Sequence, residues 1–246
     1  MKQVKFFLVA LMAVVMGMSV TSCMNGDDNH NVTMTVPVKY NYGSFLMGDG
    51  TTKLVPTTEL GFLDGDMFII SCQYDQSQVT ANSTSIPVTL LSTPLCIDPK
   101  NNEAEPTNPL YSLDKQQSSL VYYDKNTIVL TMPYWVKVTN SSVEDSELKK
   151  HSFVLSYDPT TMKDTDTKLK LYISHVVDDA GETVTRSNFT YAYRAYSIRA
   201  ALTVFKEKTG KLPKYLELTA KTNSSKDELK EESGETSVEY DYAFTE

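Results

Sequence analysis

Val32 to Tyr42 reads VTMTVPVKYNY, and its reading decides the fold class. Val32, Met34, Val36, Val38 and Tyr40 alternate with Thr33, Thr35, Pro37 and Lys39. A period of two puts the apolar set on one face of a half-buried strand, and Pro37 moves part of it toward an edge or a bulge. Downstream, Gly48-Asp49-Gly50 and Leu63-Asp64-Gly65-Asp66 are tight-turn signals. Met67 to Tyr74 (MFIISCQY) and Ser85 to Leu91 (SIPVTLL) are dense apolar strands that follow them. Short strands at this spacing predict a small barrel over residues 32–98. Asp98 to Pro109 then carries three prolines and no apolar period, so residues 99–117 read as a linker.

Beyond the linker, strands resume over residues 118–246. Ser119–Tyr123 and Thr127–Met132 predict a hairpin across Asp124-Lys125-Asn126, continued by Tyr134-Trp135-Val136. Phe153, Leu155 and Tyr157 alternate. Lys168 to Val177 (KLKLYISHVV) places Leu169, Leu171, Ile173, His175 and Val177 on one face, and Glu182 to Tyr196 is expected to return as its partner. A single helix is expected from Ile198 to Thr209, capped by Ser197 and stopped by Gly210. The expected fold is all-β: a small OB-like barrel, then an antiparallel β-sandwich with one short helix.

Working back from the first strand, Met1 to Ser22 has Lys2 and Lys5 before an apolar run from Phe6 to Val20. That run is short for a membrane-spanning helix and right for a signal peptide. Val20-Thr21-Ser22-Cys23 resembles a bacterial lipobox. In such a motif the Cys23 thiol takes diacylglycerol and its freed amine is acylated after cleavage, palmitate being one such chain. Several buried acyl chains make a stable anchor. Residues 23–31 would be a polar, acidic tether in which Asp27 and Asp28 act either as an export signal to the outer face of the outer membrane or as plain linker charge.

The chain carries net charge -8, and removing Lys2 and Lys5 with the leader takes it to -10. Such a body does not condense onto phosphate backbones, so nucleic acid is excluded as a partner. With Cys23 lipidated, Cys72 and Cys96 remain, either as one disulfide or as two separate thiols. HExxH, GxSxG and CxxC are all absent, which removes the familiar parts of zinc hydrolysis, a nucleophile elbow and dithiol redox. The chain is therefore read as non-enzymatic, with no cofactor and no metal. His175 is expected to be a hydrogen-bonded structural residue, and His151, after Lys149-Lys150, a solvated one. The carboxylates at 158, 164 and 166 lack the third ligand of a calcium loop, because Lys168 stands there. Trp135 is the candidate for stacking against a ligand, with core packing as the alternative; Tyr191, Tyr193 and Tyr196 are further aromatic candidates.

A lipobox, an acidic tether, a barrel carried by 36–74 and 85–98, and a larger module carried by 119–135 and 168–198 together resemble the NigD-like lipoproteins. The resemblance covers nearly all of the mature chain as an order of elements with few diagnostic residues, and the helix near Ile198 departs from the pattern. It implies an OB-like module and a β-sandwich, a place at the bacterial surface, and no established activity. The expected role is binding or assembly at the outer membrane through a lipid anchor, with an unknown surface protein or glycan as partner. A carbohydrate-binding accessory lipoprotein is the alternative, and a hydrolase built on paired carboxylates a third.

Overall fold

The computed structural model describes residues 30–80, 82–97, 108–223 and 234–244. Cys23, the signal peptide and most of the tether lie outside them. Two compact units emerge: residues 1–98 with 121–124, and residues 99–120 with 125–246.

The first unit is a closed five-stranded barrel. β1 (Asn31–Asn41), β2 (Ser44–Leu46), β3 (Lys53–Pro56), β5 (Ser85–Leu90) and β4 (Met67–Asp75) follow one another around it, and β4 closes on β1. β3 and β5 run parallel, with Leu54 beside Ile86; the other barrel pairs are antiparallel. The alternation read from the sequence is the inward face: Met34, Val36, Val38 and Tyr40 of β1 meet Phe68, Ile70, Cys72 and Tyr74 of β4. Pro37 sits where β1 has β4 on one side and β2 has not yet joined, an edge-like place that tolerates the missing N–H. Phe45, Leu54 and Ile70 are fully buried, each side chain contributing roughly 1.5–3 kcal/mol. Phe62, from the loop between β3 and β4, plugs one end against Phe68 (ring centroids 4.5 Å) and Tyr40 (5.5 Å). β6 (Leu95–Cys96) adds to the outer edge of β4.

One barrel turn had no clear signature. Tyr42 and Gly43 join β1 to β2 with φ of 43° and 78°, the left-handed pair that a two-residue hairpin demands, although a tyrosine holds the first position. Gly48 is needed for another reason: a Cβ there would lie 1.6 Å from the Tyr123 carbonyl oxygen. Tyr123, on β7 (Ser119–Asp124), belongs to this unit and donates its hydroxyl to the Leu46 carbonyl at 2.9 Å.

In the second unit β8 (Thr127–Val136) pairs with β11 (Asn188–Ser197) along its whole length. A second sheet has the order β13 (Gly234–Asp241), β12 (Tyr215–Thr222), β10 (Lys168–Val177), β9 (His151–Ser156). Tyr134 of β8 packs against Phe153 of β9, and the Tyr196 hydroxyl of β11 donates to the Phe153 carbonyl, so the two sheets face each other as a sandwich. The expected hairpin between 168–177 and 182–196 does not form. Both edges of β10 are taken by β9 and β12, and β11 crosses to β8 instead. Nor is the sandwich purely antiparallel: β10 and β12 are parallel, and the chain between them returns through β11 and a helix.

That helix, following the four-residue α1 (Asp145–Leu148), is α2 (Arg199–Thr209). It buries Ala201, Leu202 and Phe205, and Gly210 ends it with φ 74° and an N–H to the Lys206 carbonyl, as its sequence predicts. Ser197 is not its cap; Ile198 stands there without a side-chain bond. The linker expected over 99–117 is also corrected in its described part. Leu110 and Leu113 are buried, and Leu110 N–H donates to the Lys221 carbonyl at the end of β12. Two apolar anchors outweigh the local proline signal.

Candidate functional site

The second unit contains a buried polar cluster. α1 and the first residue of β9 place Glu147 and His151 four apart, so their side chains meet: His151 Nε2 lies 3.2 Å from Glu147 Oε1. His151 Nδ1 lies 2.9 Å from His175 Nε2 on the neighbouring β10, and His175 Nδ1 lies 3.2 Å from the Pro109 carbonyl oxygen. Glu147 Oε1 also accepts Lys137 N–H at 2.9 Å and Arg186 Nε–H at 2.7 Å. The Arg186 guanidinium then forks onto both Asp179 oxygens, at 2.7 and 2.8 Å, while Lys150 reaches Asp179 at 3.2 Å from the rim. Arg186 is 2% exposed and His175 1%.

Burial decides the protonation of the two rings. It holds His151 down to about 4 and His175 to about 3, so both are neutral near pH 7. Burial works to raise the Glu147 carboxyl, but the Lys137 N–H, Arg186 and His151 outweigh it and leave it below its ordinary value. The Arg186 bond lowers Asp179 to about 2. Every titratable atom here faces another group of the chain, so the cluster fixes α1, the 178–187 loop and residues 108–110 onto the sheet.

His175 is thus the hydrogen-bonded structural residue its strand position predicts. His151 is corrected: the lysines before it face outward while the start of β9 turns it in, at 5% exposure. Arg186 and Glu147 were not legible as a pair; the four-residue spacing of Glu147 and His151 was the available signal.

Trp135 is corrected as well. β8 is buried on both faces, and Trp135 is 1% exposed with its Nε1–H on the Asn223 carbonyl at 2.9 Å. It supports a surface feature instead. Tyr111 meets the indole edge-on at 4.9 Å and stacks on Phe189 at 4.3 Å with 16° between planes; Tyr191 follows two residues along β11. Phe189 and Tyr191 are each 41% exposed. Tyr196, by contrast, is buried.

Cys72 and Cys96 are free thiols. Cys96 stands opposite Phe68, four residues along β4 from Cys72. That is roughly 13 Å at about 3.3 Å per residue, beyond disulfide reach. Cys72 is sealed in the barrel core, where burial pushes its thiol up to about 12. Asp158 caps its own loop through Thr160, and Asp166 accepts the Lys163 N–H. Among the described residues no group of three or more His, Cys, Asp or Glu side chains is placed to hold a metal ion, and no helix is long and apolar enough to cross a membrane.

A candidate lipoprotein from Bacteroides fragilis shares this fold with a TM-score of 0.70 and 29% identity, over 87% of this chain and 100% of its own. The likeness supports a lipoprotein. A protein of unknown function from Bacteroides vulgatus, DUF1344, matches with a TM-score of 0.51 and 10% identity, over 87% of this chain and 92% of its own, and speaks to the fold alone. No family model matches the chain, and no curated protein does.

Proposed function

We propose that this chain is a non-enzymatic lipoprotein of the NigD-like kind, anchored to the outer membrane through Cys23 and exposed at the cell surface, where it binds a partner. The observation that carries the reading is the likeness to the Bacteroides fragilis protein over that protein's whole length, joined to the Val20-Thr21-Ser22-Cys23 motif. Fractionation of a Cys23→Ala variant tests the anchor. The variant leaves the membrane fraction; its full retention there contradicts the reading. Protease treatment of intact cells tests surface exposure, and survival of the protein contradicts it.

The carbohydrate-binding reading has an observation of its own. Phe189 and Tyr191 stand half-exposed on one side of the sandwich at 83° to each other, with Tyr111 stacked on one face of Phe189 and Trp135 edge-on to Tyr111. Aromatic faces of this kind suit the C–H surface of a sugar. On a glycan array the protein then retains a glycan, and Phe189→Ala with Tyr191→Ala lowers that affinity about tenfold, the 1.4 kcal/mol of one good ring contact. Silence on the array together with capture of a defined surface protein favours the first reading.

A further inference from the structure

Three contacts join Pro109 to Glu147 through the two rings: carbonyl to His175, His175 to His151, and His151 to carboxylate. Both ends of this chain are acceptors. Each contact needs a proton between its heavy atoms, and two neutral imidazoles bring one proton each. One of the three contacts is therefore lone pair against lone pair in the neutral protein. The carboxylate draws a proton more strongly than the neutral carbonyl does. His151 then holds its proton on Nε2, His175 on Nε2, and the unfilled contact is His175 Nδ1 against the Pro109 oxygen.

We infer that His151 and His175 form an acid sensor with a capacity of one proton. A single proton from solvent binds His175 Nδ1, completes the chain from Pro109 to Glu147 and leaves the sandwich folded; a second proton breaks it. The charges around the pair fit one added proton. Glu147 on α1 and Asp179 in the 178–187 loop are two buried or half-buried anions, and Arg186 is one buried cation, an excess of one negative charge. Lys150 faces the set from the rim, where water screens it. Arg194 of β11 lies over the Phe153 ring, at 5.2 Å, and Tyr134 of β8 packs against both imidazoles through its ring. A second proton has no acceptor: it sets Nδ1–H of His151 against Nε2–H of His175 at 2.9 Å, two cations in a buried space. The two rings then part, and β10 at His175, where Asn108 N–H donates to its carbonyl, leaves its native position together with the 108–110 segment. This inference is independent of the proposed surface role.

The test is an acid titration of the full chain with nitrogen-labelled imidazoles, read by long-range proton–nitrogen correlation together with the amides of Asn108, Leu110 and His151. In the first step His175 Nδ1 alone changes from bare to protonated, one proton for two rings, with the three amides in their native positions. In the second step those amides leave their native positions. Two rings titrating independently in the ordinary histidine range, about 6.5, would overturn the inference. So would a native spectrum with all four ring nitrogens protonated. In Glu147→Gln the compensating charge is gone, and the first step moves to lower pH by about one unit or more. A first step that stays in place removes the role given to Glu147. If this variant fails to fold, the wild-type titration still decides.

Discussion

The barrel and the sandwich bury opposite kinds of groups. The barrel core holds no buried charge among the described residues: Val38, Phe45, Leu54, Ile70 and Cys72 are fully buried, and Tyr40, Phe45 and Phe68 gather around Phe62. The sandwich buries an arginine, a glutamate and two histidines beside its aliphatic strands. An apolar core gains from each side chain separately, whereas a polar cluster holds only while every member has its partner. Damage should therefore be graded in the first unit and abrupt in the second.

Arg186→Met is the harshest way to break that contrast. It leaves Glu147 buried without its cation and Asp179 with Lys150 alone, and costs about 4 kcal/mol in urea unfolding of the full chain. A cost below about 1 kcal/mol would mean that the cluster is ornamental. Leu54→Ala in the barrel costs about 3 kcal/mol through the cavity it leaves, and sandwich resonances keep their native positions.

Acid separates the units next. His151 and His175 are held below the unfolded histidine value of about 6.5. The unfolded chain therefore binds more protons below that pH, and stability falls as pH drops from about 6.5 toward 4. At pH 5 each ring, neutral in the fold and protonated in the unfolded chain, takes away about 2 kcal/mol, about 4 kcal/mol for the pair, seen as an earlier urea midpoint for sandwich resonances than for barrel resonances. Glu147 and Asp179, with lowered values, keep their contribution above about 4 and lose it only in stronger acid. Equal acid shifts in both units would contradict the assignment. The smallest effect belongs to the exposed rings of β11: Phe189→Ala costs about 1 kcal/mol, the stacked contact with Tyr111, because 41% of the residue is already exposed.

The same contrast explains what the sequence made legible. Alternation in 32–40 and 67–74 is a statement about apolar burial, and the barrel follows from it. The Gly210 stop and the apolar stripe of α2 are local signals of the same sort. The polar cluster depends on contacts between distant segments: Arg186 meets Glu147 across 39 positions, and Pro109 meets His175 across 66. No local pattern carries such pairs. Of the two readings open for Trp135, core packing is the one that holds, because the nearly unbroken apolar run from Ile128 to Val136 is what a strand buried on both faces requires. β11 pairs with β8 and not with its neighbour in sequence, because the 178–187 loop is long enough to cross to the other sheet.

The proposed surface role depends on where the mature chain begins and what it carries there. Intact mass measurement of the protein extracted from its own membranes decides this. The account predicts an N-terminus at Cys23 bearing a diacylglycerol group and an amide-linked acyl chain. An unmodified N-terminus at any other residue would contradict it.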